Sequence, residues 1–139
     1  MAKIAQDKGV KVAFDMNYRR TLWKNASDAR KIFDKILEHT DLLFGNEGVL
    51  KDVYDVCPSG NTNHERTLSA MQIAAKNFGI DQLAFTIRDQ ISASNNELCG
   101  IYLSKQQIFS TTPIKVVVTD RFGTGDAFAA AFLLSLNLG

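Results

Sequence analysis

The chain has 139 residues, 45% of them hydrophobic and 22% charged, and carries a formal net charge of +1. Such a length and apolar content suit one domain with a real core, while the near-neutral charge leaves neither a basic stripe for nucleic acid nor an acidic tail for a cationic partner. Small-molecule chemistry is the class that remains.

In chain order, residues 4–8 read as the last turns of a helix stopped by Gly9, and Val10-Lys-Val-Ala-Phe14 as a short strand after it. The opening residues interrupt their apolar positions with charge, unlike a signal peptide, and no apolar run is long enough to cross a bilayer. A cytoplasmic protein without a membrane partner is expected. Apolar residues at Ala29, Ile32, Phe33, Ile36 and Leu37 trace one face of a helix over 26–38, with Ser27 as its cap. Asp41-Leu-Leu-Phe-Gly45 predicts a short buried strand, and Asn46 can cap a helix running towards Tyr54. Turn formers fill 57–63, after which Leu68, Met71, Ala75 and Phe78 mark an amphipathic helix ending at Gly79, with a strand at 82–87.

Residues 91–94, 97–103 and 107–109 look like short strands in hairpins, separated by Asn95-Asn96 and by Ser104-Lys105. Pro113 opens the β-branched run Val116-Val-Val-Thr119, and residues 126–138 are apolar almost all round, which predicts a buried helix. Strands alternating with helices argue for an α/β fold with a mainly parallel sheet, whose ligands sit at the carboxyl ends of the strands. Cys57 and Cys99 lie far apart, outside any CxxC spacing and without a nearby histidine pair, so both are expected as reduced thiols. His39 and His64 read as helix-end and loop residues, and Trp23 as core.

The strongest chemical signal is Val118-Thr-Asp120-Arg-Phe-Gly123-Thr-Gly125-Asp126-Ala-Phe128, a strand, a glycine-bracketed turn and a helix with an aspartate in its first turn. Gly123 and Gly125 allow close backbone approach, so amides at the helix start can face a phosphate, assisted by the helix dipole. Asp126 could accept a proton from an attacking hydroxyl beside that anion hole; equally, Gly-Thr-Gly could simply turn the chain and Asp126 cap the helix.

The run Asp120-Arg-Phe-Gly-Thr-Gly-Asp-Ala-Phe128 with the apolar residues to Leu133 resembles the C-terminal signature of the ribokinase-like (PfkB-type) carbohydrate kinases, D-T-x-G-A-G-D-x-F. The resemblance implies a ribokinase-like three-layer αβα (Rossmann-like) fold, Asp126 as catalytic base, and Gly123, Thr124 and Gly125 as the anion hole, with Asp120 on the phosphate side. Thr124 replaces the commoner alanine or glycine, a mild departure because only its amide is needed. Asp15-Met-Asn17-Tyr-Arg19-Arg-Thr-Leu22-Trp23 is similar to the D-x-N-x-R…L-W segment of 2-keto-3-deoxygluconate kinases and fructokinases. That similarity puts Asp15, Asn17 and Arg19 at the substrate, with the Arg19 fork suited to a carboxylate or a phosphate and, in the deoxygluconate kinases, facing the sugar acid.

Asn46-Glu47-Gly48-Val49 resembles the family's N-x-x-E element, which orders magnesium and phosphate, but Val49 stands where the glutamate is usual. Glu47 would have to substitute, indirectly, or the metal network is weakened; on local grounds Asn46 is as well explained as a helix cap. Thr86-Ile-Arg88 matches the strand and loop that approach the nucleotide phosphates, with Arg88 where glycine is common. The resemblance therefore implies ATP with Mg2+, a small sugar or sugar-acid acceptor, and 2-keto-3-deoxygluconate kinase ahead of fructokinase or ribokinase. A non-catalytic binding or scaffold remnant of a decayed kinase is the rival from another class. Residues 1–139 correspond to part of such a kinase domain, without its N-terminal sugar-binding and lid part and its C-terminal end. An inactive, self-associating chain is the consequence expected of that.

Overall fold

The computed structural model describes residues 1–92, 94–118 and 123–138. Its elements in order are α1 (Ala2–Asp7), β1 (Ala13–Asp15), α2 (Ala26–Leu37), β2 (Leu42–Gly45), α3 (Glu47–Tyr54), α4 (Asn63–Phe78), β3 (Gln82–Gln90), β4 (Asn95–Ser104), β5 (Gln107–Ser110), β6 (Ile114–Val117) and α5 (Thr124–Leu138), with a 3-10 turn at Arg20–Leu22. The strands form one six-stranded sheet in the order β1-β2-β3-β4, with β5 and β6 both paired to the far side of β4. β1, β2 and β3 pair in parallel. β4 alone runs the other way, antiparallel to β3, β5 and β6, so the sheet is mixed but mainly parallel in direction.

Strand alternation distributes side chains to two faces. Leu43, Leu83, Phe85, Ile87, Ile101 and Leu103 join Ala29, Phe33 and Leu37 of α2, Val49, Leu50 and Val53 of α3, and Ala70, Met71 and Ala74 of α4 in the main core. Leu42, Phe44 and Ala84 point to the other face, where Phe128, Ala129, Phe132 and Leu133 of α5 lie on them. The result is three layers, α2–α4, sheet and α5. Edge-to-face rings tie the outer layers down: Phe33 meets Phe14 at 5.4 Å and Trp23 at 5.7 Å, while Phe44 meets Phe128 at 6.1 Å and Phe132 at 5.7 Å. Fully burying such a side chain contributes about 1.5–3 kcal/mol.

Most local signals act as the sequence predicts. The Asn46 side chain accepts from the Val49 amide and starts α3. α4 opens with a capping box of Thr62 and Glu65, which reading 57–63 as turn formers does not predict. β1 is shorter and later than expected, and the Val12 carbonyl just before it accepts the Asp41 and Leu42 amides. The cap of α2 is Asn25 rather than Ser27: Asn25 Oδ1 accepts from the Asp28 amide at 2.9 Å, and Ser27 Oγ donates to the same oxygen.

Residues 91, 92 and 94 form the connection between β3 and β4 rather than a strand, and two further expectations fail for tertiary reasons. Asn95 and Asn96 do not break the chain; they open a continuous ten-residue β4, and Asn96 is completely buried, its Oδ1 accepting from Arg88 Nε at 2.9 Å. A buried amide with such a partner is tolerated in a strand. Second, α5 is not a buried helix. None of its described residues is buried, and Leu134, Leu136 and Leu138 are exposed, because only its Phe128–Phe132 side has a sheet to pack against. Where that side meets β4 the strand has Gly100, at which a Cβ would lie 3.1 Å from Phe128 Cε2.

Candidate active site

The carboxyl ends of β1 and β2 and the middle of β3 lie level, through the pairings Asp15↔Phe44 and Gly45↔Phe85. The N-terminus of α5 sits beside them. Between these pieces is a cavity of about 240 Å³ lined by Asp15, Asn17, Tyr18 and Arg19 after β1, by Asn46 and Val49 of α3's first turn, by Thr86 of β3, and by Gly123, Thr124, Gly125 and Asp126. Nine residues singled out from sequence motifs therefore share one cavity: Asp15, Asn17, Arg19, Asn46, Thr86, Gly123, Thr124, Gly125 and Asp126.

At the mouth of α5, Gly123 has φ +77°, a left-handed conformation that glycine adopts without strain. Its carbonyl accepts from the Ala127 amide at 2.9 Å, closing the first turn. The amides of Gly125 and Asp126 precede that bond and belong to the positive end of the helix. That end, a carboxylate and a cavity are the parts needed to hold an anion next to a proton acceptor.

Charged side chains on the cavity differ sharply from their neighbours in partnership. Arg20 is paired with Asp52 at 3.0 Å, whereas Arg19, one residue earlier, lines the cavity and makes no ion pair among the described residues. Neither the Asp15 nor the Asp126 carboxylate accepts a hydrogen bond from any described residue, and the Asn17 side chain likewise makes none among them. The Asp15 carboxyl is held above its ordinary value, by burial first and then by the negative charge of Asp126. Much of Asp15 is open to solvent, and its side chain shares the cavity with that of Asp126.

Other candidates lie elsewhere. Glu47 does not line this cavity; its Oε1 is 3.6 Å from Arg66 Nε, in a network that continues through Asn63 to Asp89. The Asn46 amide oxygen is engaged in capping α3, at 3.1 Å from the Val49 nitrogen. Val49 presents an apolar, almost fully buried side chain where the motif's carboxylate would stand. Arg88 faces an adjoining cavity of about 520 Å³, lined also by Leu98, Cys99, Ile114, Val116 and Val118, which shares Thr86, Thr124, Gly125 and Phe128 with the first. Asp120 lies outside the described residues.

No group of three or more His, Cys, Asp or Glu that could hold a metal ion exists among the described residues. With Val49 apolar and Glu47 ion-paired, the donor set among the described residues does not fit a protein-held magnesium, which favours several oxygen ligands. Tyr18 and Phe128 were not assigned from the sequence, although both stand inside its motifs; Phe128 walls both cavities. The Arg66–Glu47 pair had no sequence signal, because its members are far apart in the chain. No described helix is long and apolar enough to cross a membrane.

Comparison with known proteins bears on this arrangement. The model of the pfkB family of carbohydrate kinases matches residues 1–139. The chain is 29% identical over 130 residues to a 5-dehydro-2-deoxygluconokinase of Lacticaseibacillus casei, covering 94% of the chain and 36% of that protein. It is 28% identical over 139 residues to a 2-dehydro-3-deoxygalactonokinase of Haloferax volcanii, covering 100% of the chain and 39% of that protein. The crystal structure of 2-dehydro-3-deoxygluconokinase from Thermotoga maritima superposes with a TM-score of 0.89 at 28% identity, over 99% of this chain and 41% of that one. The chain thus spans about two fifths of the length of the proteins it matches.

Proposed function

This chain belongs to the pfkB family of carbohydrate kinases, and we propose from that membership that it carries the acceptor site and the phosphoryl-transfer end of an ATP-dependent sugar-acid kinase. The acceptor that best suits the site is 2-keto-3-deoxygluconate. The observation that carries the reading is the convergence of unengaged Asp15, Asn17, Arg19 and Asp126 on one cavity at the start of α5. Side chains of this kind, without partners among the described residues and beside a helix N-terminus, are arranged for a ligand rather than for the fold.

In this reading Asp126 accepts the proton of the acceptor hydroxyl as its oxygen bonds to the γ-phosphorus. The bond from that phosphorus to the β–γ bridging oxygen breaks, and ADP leaves. The backbone at Gly123, Thr124 and Gly125 meets the equatorial phosphoryl oxygens, where each well-placed donor is worth about 3 kcal/mol in the transition state. Arg19 takes the acceptor's carboxylate in a two-pronged contact, and Asn17 helps to orient the acceptor. Asn46, Thr86, Arg88 and Asp120 serve the nucleotide side, and the adjoining apolar cavity suits the flat base of ATP. Magnesium arrives on the nucleotide, as part of the substrate; Glu47 is at most an indirect contributor.

The short span relative to the matched proteins supports reading residues 1–139 as part of a kinase domain. Transfer requires two positioned substrates and exclusion of water, so the chain alone is expected to turn over little or not at all. The exposed leucines of α5 and the exposed Ile114 and Val117 of β6 favour self-association. A cytoplasmic location suits the substrates.

The L. casei relative's name points to a second keto acid, 5-dehydro-2-deoxygluconate, for which the Arg19 contact would serve equally. The test is ATP-dependent phosphorylation of both acids, with fructose and ribose beside them, by the chain and by a form extended with a relative's missing segments. Turnover in the extended form that falls by about 10²–10⁴ in Asp126→Asn is the expected result. No turnover there with any acceptor would favour a non-catalytic binding protein.

A further inference from the structure

We propose that Asp15 is a specificity-determining residue: its carboxylate receives the hydroxyl next to the one Asp126 deprotonates, so that the site selects an acceptor ending in a vicinal diol. This role rests on the reading of Asp126 as the base.

An ionised carboxylate is an acceptor only; it can be satisfied by a donor and by nothing else. Asp15 and Asp126 line the same cavity from different elements, the end of β1 and the first turn of α5, and neither has a hydrogen-bond donor among the described residues. They are near enough for the charge of Asp126 to act on the Asp15 carboxyl. Two acceptor-only groups of like charge facing one small space are best reconciled by a ligand that brings two donors on adjacent atoms. A vicinal diol is that ligand: one hydroxyl reacts at Asp126 while its neighbour donates to Asp15. Among the described residues the other ionisable side chains on this cavity are Arg19 and Tyr18, and Arg19 supplies the cation that suits a carboxylate on the same ligand.

The two candidate acids differ at this point of chemistry. In 2-keto-3-deoxygluconate the carbon next to the terminal hydroxyl bears a hydroxyl. In 5-dehydro-2-deoxygluconate it bears a carbonyl, whose lone pairs would face those of Asp15 with no proton between them. Asp15 therefore favours the first acid over the second, and it does so by rejection as much as by attraction.

The experiment is equilibrium binding of both acids, by calorimetry, to this chain and to the longer protein wherever the chain is part of one. Wild type, Asp15→Ala and Asp15→Asn are compared. The wild type is expected to prefer the diol acid by about tenfold or more, the scale of one charge-assisted hydrogen bond. Asp15→Ala should erase that preference by weakening the diol acid alone. Asp15→Asn, which adds a donor, should shift the preference towards 5-dehydro-2-deoxygluconate, a change that a purely structural role would not produce. An unchanged preference in both variants, with binding retained, overturns the role of Asp15 and leaves the kinase reading standing. Failure of the wild type to bind either acid defeats the sugar-acid reading, and the role of Asp15 falls with it.

Discussion

Replacing Arg19 by alanine, with Arg20→Ala as the control, separates two adjacent arginines that differ only in their surroundings. Arg20 Nη2 is 3.0 Å from Asp52 Oδ1, with both side chains well exposed; losing such a pair costs at most about 1 kcal/mol of stability and touches no ligand. Arg19 lines the cavity without an ion pair among the described residues. If it holds the acceptor's carboxylate through charge-assisted hydrogen bonds of about 1.5–3 kcal/mol each, truncation should remove roughly 2–4 kcal/mol of binding after partial compensation by water. At 1.4 kcal/mol per tenfold, the acid's Kd should then rise by about 30- to 700-fold. Calorimetric Kd values for a keto sugar acid and for fructose, which lacks the carboxylate, provide the assay. Arg19→Ala should weaken the acid and spare fructose, Arg20→Ala should spare both, and Arg19→Lys should recover only part of the loss. Equal losses for acid and fructose in Arg19→Ala would refute the carboxylate contact.

Gly100→Ala places a methyl 3.1 Å from Phe128 Cε2, so α5 must shift or Phe128 must leave its well; a loss of about 1–3 kcal/mol in urea unfolding is expected, and unchanged stability would mean that α5 moves freely on the sheet. The Asp41 carboxyl is held below its ordinary value, first by the hydrogen bond from Lys11 Nζ at 2.8 Å and then by the Val12 amide at 2.9 Å. A depressed carboxyl stabilises the fold above its unfolded value and loses that contribution as pH falls through the folded value. Asp41→Asn should therefore lower the urea midpoint near neutral pH and converge with wild type in acid; a difference that does not shrink on acidification would contradict this.

Much of the candidate site was readable because its parts are local. The left-handed Gly123, the amides behind it and Asp126 occupy four consecutive positions, and their geometry follows from short-range dihedral preferences and the start of one helix. The Asn46 cap and the capping box of Thr62 and Glu65 were equally local, although only the first was drawn from sequence. Asn25 displaced Ser27 as the cap of α2 because both are good acceptors within one turn, and local pattern alone does not rank them.

Sequence by itself determined the alternation of strands and helices, the family, and which residue types stand at the carboxyl ends of β1, β2 and β3. Tertiary structure alone decided partnership. It put Arg20 on Asp52 and left Arg19 for the cavity, and it withdrew Glu47 to Arg66. It also kept Asn96 inside β4 by giving it Arg88, and left the outer side of α5 uncovered. The physical reason is common to all of these. Backbone conformation is set largely by neighbours in the chain, but the free energy of a charge, a buried amide or an apolar face depends on which distant group folding brings against it.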